Sequence, residues 1–278
     1  MKISVSSYSF AQLKKSPVEI IPLAKELGFA AIEYTDGAVP DRETALRVRE
    51  ECERAALPII AYAIWADFLK AESPSDEVKR VCAFVDIAET LGAKKMRHDV
   101  SGGFKAPHNT HKSFDQALPP MAKCCREVAE YAAAKGVMTM VENHGFYCQD
   151  STRVASLVGA VDHPNFGVLA DIGNFLCADE DPAIACGRVS TLTRHVHAKD
   201  FFVKPGTHDN PGEGWFRSRA GNYLRGAIVG HGAVPVRQCL DIFRRAGYDG
   251  YVSIEFEGME NCLDALRIGK KNLESLIA

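Results

Sequence analysis

Apolar residues recur along this chain in two alternating patterns. Short runs rich in branched apolar residues are typical of buried strands, and the longer segments between them show the apolar spacing of amphipathic helices. Segment 17–28 shows the helical pattern, because Ser16 suits an N-cap, Pro17 a first helical position and Gly28 a helix end. The patterns predict eight strands, at residues 3–7, 30–34, 58–65, 94–97, 137–142, 166–171, 194–199 and 251–255. They predict eight helices, at residues 17–28, 41–56, 76–92, 113–136, 151–161, 182–189, 236–247 and 262–277.

Eight strand–helix units in alternation predict a single closed fold. Strands that alternate with helices form a parallel sheet, and eight such units indicate closure into an α/β (β/α)₈ TIM barrel. The length of 278 residues suits one barrel, and no linker divides the chain, so we expect one domain over residues 1–278. The alternative is an open doubly wound sheet. It would need a glycine-rich phosphate turn after the first strand, but residues 7–10 read Ser-Tyr-Ser-Phe, so no nucleotide cofactor is predicted.

The connection between the seventh strand and the seventh helix, residues 200–235, is far longer than the few residues typical of such loops. It contains seven glycines. Long glycine-rich loops inside compact domains are usually functional lids or binding loops, and this one would lie at the carboxyl-terminal mouth of the barrel. The alternative interpretation is an oligomerisation loop or a merely variable one.

The composition narrows the classes of partner. A chain that is 46% hydrophobic and 25% charged is not disordered. The formal net charge of −3 argues against the basic face that a DNA-binding protein needs, so no nucleic-acid partner is predicted. Nine scattered cysteines without a C-x-x-C pair are typical of a reducing compartment. The first residues lack a signal-peptide pattern and the apolar run 58–66 is too short to span a bilayer, so we expect a soluble, cytoplasmic protein without membrane association.

Metal-capable side chains end four consecutive predicted strands. The carboxyl ends of parallel barrel strands converge at one rim, so these side chains are expected to meet there. Charged residues at strand ends often just face water, but that interpretation is weak for four corresponding positions. Three carboxylates and one imidazole favour Mn²⁺, Mg²⁺ or Co²⁺ over a structural zinc, although Zn²⁺ stays possible. The sequence therefore predicts one divalent metal ion, with Mn²⁺ favoured, held by Glu142, Asp171, His197 and Glu255.

Several neighbouring residues are candidates for substrate contacts. His195 shares a strand face with His197, and either a structural or a functional role fits it; His197, nearer the strand end, is the predicted ligand. Lys199 would bind a carbonyl oxygen or a phosphate, unless it is simply solvated. His144 would hydrogen-bond a sugar hydroxyl or move a proton, or else support the site from behind.

Three further candidates approach the same rim. Arg97, on the fourth strand, would bind an anionic group of the substrate. Trp65, at the end of the third strand, would stack on a sugar face, although such a residue more often only packs at the rim. His231, between two glycines of the long connection, would reach the site if that connection folds over it.

Five motifs carry a resemblance that spans nearly the whole chain. They are E-N-H-G at 142–145, D-I-G-N-F at 171–175, H-V-H-A-K-D at 195–200, G-H-G at 230–232 and G-Y-D-G-Y-V-S-I-E at 247–255. With these motifs the chain resembles the xylose-isomerase-like TIM-barrel superfamily, in particular its sugar phosphate isomerase/epimerase group. The motifs are specific for the group and poorly specific for the substrate.

The resemblance implies the same four ligands and adds an acid/base pair. In ketose 3-epimerases of this type the two glutamates, here Glu142 and Glu255, remove and return a proton next to a carbonyl, and the metal stabilises the enediolate. Return to the opposite face gives epimerisation, and return to the neighbouring carbon gives aldose–ketose isomerisation. Two positions depart from the epimerase pattern: Asn174 replaces a histidine, and Cys148 replaces a substrate-binding glutamate. Asn174 is the predicted substrate contact in place of that histidine.

The predicted function is therefore a metal-dependent isomerase or epimerase of a small carbohydrate or keto-polyol. An inosose isomerase or dehydratase, or a 3-keto-glycoside lyase, would use the same metal site. An endonuclease IV-type phosphodiesterase would need further ligands for two more metal ions. A non-catalytic sugar-binding barrel or subunit is the remaining alternative. By resemblance we also expect a homodimer or homotetramer.

Overall fold

The computed structural model describes residues 1–277 and confirms the TIM barrel. Eight parallel strands pair in the closed order β1-β2-β3-β4-β5-β6-β7-β11. Eleven strands lie in the described residues: β1 Lys2–Ser6, β2 Ile32–Thr35, β3 Ile59–Ile64, β4 Lys95–His98, β5 Met138–Glu142, β6 Phe166–Asp171, β7 Thr193–Ala198, β8 Asp200–Lys204, β9 Phe216–Arg217, β10 Tyr223–Ala227 and β11 Tyr251–Ile254.

Eight helices follow the barrel strands, and polar caps explain where several of them begin. The side chains of Asp41, Ser73, Asp150 and Asp181 each accept a backbone N–H of the first helical turn. Such caps satisfy amides that the helix itself leaves free. The helices are α1 Ile20–Glu26, α2 Arg42–Arg54, α3 Pro74–Leu91, α4 Phe114–Ala134, α5 Ser151–Val161, α6 Pro182–Val189, α7 Val236–Arg245 and α8 Cys262–Ile277.

Two differences from the predicted elements lie near the N-terminus. A 3-10 helix over Ser7–Leu13 follows β1, and the sequence pattern did not predict it. Helix α1 begins at Ile20 rather than at residue 17. The Glu19 carboxylate accepts hydrogen bonds from the amide and hydroxyl of Ser16, at 2.9 and 2.7 Å, so the chain makes a separate turn before α1 begins.

The connection between β7 and α7 contains a small antiparallel sheet of order β8-β10-β9 rather than an irregular loop. The Asp200 carboxylate holds the two ends of the connection together, because it accepts backbone N–H bonds from Gly230, Gly232 and Val234 at 2.8 to 3.0 Å. A side chain at position 232 would collide with this carboxylate, which explains the glycine there.

The same sheet is fastened to the rim of the barrel. Asp179, in the loop after β6, accepts a hydrogen bond from the Ser218 hydroxyl at 2.6 Å and one from the Asn222 amide at 2.8 Å. Arg219 donates to Asp150, at the start of α5, at 2.9 Å. The small sheet β8-β10-β9 is therefore packed against the loops after β5 and β6, on the side of the barrel where the predicted ligands lie.

One continuous hydrophobic core fills the barrel and the layer between strands and helices. Its largest fully buried side chains include Tyr34, Tyr62 and Met96. All nine cysteines are free, and all except Cys82 are buried. Among residues 1–277, no helix combines the length and the apolar character that crossing a bilayer requires.

Candidate active site

The four predicted metal ligands meet at the carboxyl ends of the barrel strands. Glu142 ends β5, Asp171 ends β6, His197 lies near the end of β7, and Glu255 directly follows β11. One ligand atom from each lies within 4.8 Å of the others. Strand register explains part of this convergence, because Asp171 pairs with His197, and His197 with Ser253, across adjacent strands. The cluster borders a cavity of about 360 Å³ at the barrel mouth.

Asp171 presents its Oδ2 atom to this cluster, 3.3 Å from Lys199 Nζ. Its Oδ1 accepts the amides of Gly173 and Asn174 at 2.8 and 3.0 Å. Its Oδ2 is buried and accepts no hydrogen bond in the described part of the chain. The Asn143 side chain brackets the Asp171 backbone with two hydrogen bonds, of 2.8 and 2.9 Å, and so joins the ends of β5 and β6. Burial, opposed by Lys199, raises the pKa of Asp171 to about 6.

A second buried carboxylate, Glu33 of β2, orients His197. Glu33 Oε1 lies 2.6 Å from Nε2 of His197, so the other ring nitrogen, Nδ1, faces Asp171 and Glu255 at 4.0 and 3.8 Å. Glu33 Oε2 lies 2.7 Å from Nε2 of His195. Burial opposes the ionisation of Glu33, but His197 and His195 outweigh it and lower its pKa. His195 therefore lies behind the ligand, and Glu33 is a site residue that sequence reasoning missed.

The donor set fits a divalent cation. Asp171 Oδ2 and His197 Nδ1 are buried polar atoms that make no hydrogen bond within residues 1–277, although such atoms normally find a partner. Three carboxylates and an imidazole form the oxygen-rich set that Mn²⁺, Mg²⁺ or Co²⁺ prefers and that Zn²⁺ also accepts. A carboxylate behind the ligating histidine is typical of protein metal sites.

Arg97 is engaged by the protein itself. Its Nε lies 2.5 Å from Glu142 and its Nη2 lies 3.1 Å from Asp99, while Nη1 donates to the Ile64 carbonyl at 3.1 Å. Burial opposes the charge of Arg97, but Asp99 and Glu142 outweigh it and raise its pKa. The expectation that Arg97 binds an anionic group of the substrate does not agree with these contacts, because the guanidinium already has its carboxylate partners.

Lys199 and Asn174 connect the carboxylates of the cluster. Lys199 Nζ lies 2.7 Å from Glu255 and 3.3 Å from Asp171. Burial opposes its charge, but Glu255 and other carboxylates raise its pKa well above the usual range. The same carboxylate–ammonium contact holds the pKa of Glu255 well below its usual range despite burial. Asn174 donates to Glu142 at 2.9 Å and accepts from Lys199 at 3.4 Å.

The remaining candidates divide into cavity residues and one that lies elsewhere. His144 lines the cavity, and its Nδ1 lies 3.1 Å from Asp99. Burial opposes the charge of His144, but the Asp99 carboxylate outweighs this effect and raises the pKa of His144. Trp65 lines the mouth and is 58% exposed. Tyr8, which the sequence did not single out, lies at the mouth too. His231 lies in the turn that closes around Asp200 and is not among the residues that line the cavity, so the structure does not bring it together with the other candidates.

The fold and the site define a parallel eight-stranded barrel with a carboxylate–histidine cluster at its carboxyl-terminal mouth. The family model described as "Xylose isomerase-like TIM barrel" matches residues 21–277. The chain belongs to this family, which confirms the resemblance read from the motifs.

Curated relatives and solved structures share the fold at low identity. Inosose dehydratase from Lacticaseibacillus casei is 22% identical over 213 residues, which cover 71% of this chain and 69% of that protein. The crystal structure of the probable 3-DHS dehydratase AsbF from Bacillus anthracis superposes with a TM-score of 0.79 at 20% identity and covers 99% of both chains. The 3-keto-D-glucoside 4-epimerase YcjR from E. coli gives 0.75 at 17% identity, with 99% of each chain covered.

Proposed function

We propose that this chain is a divalent-metal-dependent isomerase or epimerase that moves a proton next to the carbonyl of a small carbohydrate or keto-polyol. The observation that carries the proposal is the buried four-ligand cluster in which Asp171 Oδ2 and His197 Nδ1 lack hydrogen-bond partners among the described residues. Glu142, Asp171, His197 and Glu255 would hold the ion, with Mn²⁺ favoured. When bound, such a cation acts as a Lewis acid that makes a proton beside a carbonyl easier to remove.

Two glutamates supply the base and the acid in this proposal. Glu142 ends β5 and Glu255 directly follows β11, so they approach the cavity from different parts of the rim. Arg97 and Asn174 fix the two oxygens of Glu142, and Lys199 fixes Glu255. Held in this way, one carboxylate removes a proton from the substrate carbon and the other returns it.

Other cavity residues bind the substrate in this proposal. Lys199 is a buried ammonium at the cavity wall, where it stays paired with Glu255 and exchanges its longer contact with Glu257 for a substrate oxygen. His144 contacts substrate hydroxyls, the exposed face of Trp65 stacks on the carbon–hydrogen side of the sugar, and the buried Asn174 acts through Glu142, to which it donates.

A dehydratase acting on an inosose-like keto-polyol is the second candidate. Elimination of water needs a base at the carbon and an acid at the departing hydroxyl. Lys199 and His144 are two proton-carrying side chains that line the cavity in addition to the two glutamates. Two of the similar proteins are called dehydratases, which supports this candidate.

The nuclease alternative has less support. The described residues form two groups of potential metal ligands, and the second, Glu33 with His195 and His197, shares His197 with the first. Three separate metal positions would require more ligands than these groups contain.

The single-domain organisation, the cytoplasmic location and a homodimeric or homotetrameric state stay predictions.

Deuterium incorporation tests the proposed function. The Mn²⁺-loaded protein is incubated in D₂O with ketoses, inososes and 3-keto glycosides, and the bound metal is measured by mass spectrometry. We expect one equivalent of metal and deuterium at a carbon next to the carbonyl of one substrate class, with loss of label in Glu142→Gln and Glu255→Gln. Loss of water from the labelled substrate would favour the dehydratase. About three zinc ions with nicking of abasic DNA, or metal-free protein without exchange, would refute the proposal.

A further inference from the structure

We infer that the cavity selects an uncharged, polyhydroxylated substrate and discriminates against phosphorylated or other anionic ones. The inference rests on the proposed function and adds the charge class of the substrate. Four features of the cavity carry it: the pairing of its cations, its excess of carboxylates, an unsatisfied buried acceptor and the aromatic residues at the mouth.

Both permanently charged cations of the cavity wall are already paired. Arg97 contacts Glu142 and Asp99 at 2.5 and 3.1 Å. Lys199 contacts Glu255 at 2.7 Å and has Glu257 at 3.4 Å. The described residues that line the cavity contain no other lysine or arginine, so the wall offers no unpaired guanidinium or ammonium to a substrate phosphate.

The cavity also carries an excess of negative charge. Six carboxylates lie in the cavity wall or in the ligand cluster beside it, and they outnumber the positive charges of Arg97, Lys199, the imidazole of His144 and a bound divalent ion together. A charged group on the substrate would therefore meet like charges in a partly buried space, where water screens them poorly. The carboxylates are Asp36, Asp99, Glu142, Asp171, Glu255 and Glu257.

A buried acceptor in the wall requires a hydrogen-bond donor. Asp99 is 7% exposed, and its Oδ2 accepts no hydrogen bond within residues 1–277. Its other oxygen, Oδ1, already contacts Arg97 and His144 at 3.1 Å. A hydroxyl group can donate to Oδ2, whereas a phosphate dianion or a carboxylate has no proton to donate. A substrate hydroxyl placed beside Oδ2 therefore satisfies this acceptor, and a charged group placed there leaves it unsatisfied.

The mouth has the character expected for a neutral sugar. Trp65 and Tyr8 line it and are 58% and 47% exposed, so their ring faces are accessible to the carbon–hydrogen side of a sugar. Asp36 and Glu257 lie at the same mouth. An anionic substrate would have to pass these two carboxylates before reaching the cluster.

Matched pairs of ketoses test the inference. Deuterium exchange is measured on the Mn²⁺-loaded protein, at fixed free Mn²⁺, with fructose and fructose 6-phosphate, ribulose and ribulose 5-phosphate, and xylulose and xylulose 5-phosphate. For the pairs that exchange, we expect kcat/KM for the free sugar to exceed that of its phosphate at least about tenfold at low salt. The ratio should fall as salt is added, because screening weakens the repulsion.

A charge-removing variant and a matched control sharpen the test. Glu257→Gln removes one carboxylate of the mouth and one partner of Lys199. It should therefore lower the ratio of kcat/KM for the free sugar to kcat/KM for its phosphate about two- to fivefold. Glu260→Gln is the same substitution three residues further on, outside the cavity wall and paired with Arg225, and it should leave the ratio unchanged.

The outcomes separate this inference from the proposed function. Exchange that is equal or faster with the phosphates overturns the inference and leaves the proposed function intact. Absence of exchange with every sugar of the wider panel counts against the proposed function instead. In that case equilibrium binding of the same pairs to the Mn²⁺-loaded protein decides: tighter binding of the free sugars supports the charge preference, and tighter binding of the phosphates overturns it.

Discussion

Two buried carboxylates, Glu33 and Asp171, lie at opposite nitrogens of His197, and their surroundings differ. Glu33 contacts His197 through one oxygen, while its other oxygen accepts from the Ser253 hydroxyl at 3.0 Å and lies beside His195. Asp171 has one oxygen that accepts two backbone amides, and a second, Oδ2, that lies 3.3 Å from Lys199 Nζ and 4.0 Å from His197 Nδ1, beside the carboxylates of the cluster. The pKa of Glu33 is lowered, whereas burial raises the pKa of Asp171 to about 6.

Burial alone does not distinguish a residue that supports the site from a candidate ligand. Both carboxylates are almost completely buried, at 1% and 0% exposure. A carboxylate whose oxygens are all partnered stabilises the fold and orients its neighbours. A buried carboxylate that faces other carboxylates, as Asp171 faces Glu142 and Glu255, is short of positive charge and favours a bound cation. In the proposed function Glu33 therefore supports the site and Asp171 is a ligand.

The largest expected effect is on metal affinity in Asp171→Asn. The amide oxygen can still accept the two backbone N–H groups that Oδ1 accepts now, but the charged ligand is gone. We expect the dissociation constant for Mn²⁺ to rise by more than about 100-fold. The unfolding free energy of the metal-free protein should change less than in Glu33→Gln, because losing the charge weakens the contact with Lys199 but also removes repulsion from Glu142 and Glu255. Isothermal titration with Mn²⁺ and urea unfolding of the metal-free protein measure the two quantities.

A large loss of Mn²⁺ affinity with a small change in unfolding free energy is the result expected for a metal ligand. A large loss of stability with unchanged Mn²⁺ affinity would mean that Asp171 is the structural carboxylate and that the comparison is reversed.

Glu33→Gln should show a smaller loss of metal affinity and a larger loss of stability. The glutamine cannot accept from both imidazoles, so His197 loses the contact that turns Nδ1 toward the cluster. We expect Mn²⁺ affinity to fall roughly 10- to 100-fold. The unfolding free energy of the metal-free protein should fall by about 1–3 kcal/mol.

Glu89→Gln is the matched control for this substitution. Glu89 is an exposed residue that pairs with Lys135 and is not part of the ligand cluster. It should leave both quantities near the wild-type values. If Glu33→Gln behaves like this control, the buried contact with His197 does not position the ligand.

The convergence of the four candidate ligands could be predicted from the sequence because each stands at or beside the end of a predicted strand. The carboxyl ends of parallel barrel strands meet, so strand order alone brings Glu142, Asp171 and His197 together. The helices α5, α6 and α8 agree with their predicted residues, and the caps Asp150 and Asp181 explain the starts of α5 and α6.

Glu33 could not be assigned in this way, although the sequence contained a signal. It is a single acidic residue within the apolar strand β2, which indicates a buried charge that needs a partner. That partner lies on β7, which is not a neighbour of β2 in the barrel, so only the closed fold reveals the contact. The sheet between β7 and α7 was missed for a similar reason, since antiparallel pairing of short segments leaves little periodicity in the sequence.

The smallest expected effect is that of Ser253→Ala. The Ser253 hydroxyl donates to Glu33 at 3.0 Å and shares a hydrogen bond of 2.7 Å with Ser4. Its removal leaves Glu33 with both imidazoles, so Mn²⁺ affinity should fall no more than about threefold while the unfolding free energy falls by about 1 kcal/mol. Ser4→Ala removes the hydrogen bond between Ser4 and Ser253, which is one bond further from Glu33. It should lower the unfolding free energy by a similar amount and leave Mn²⁺ affinity unchanged. A change in affinity for Ser4→Ala equal to that for Ser253→Ala would show that general loosening of the barrel, and not the partners of Glu33, controls the ligand.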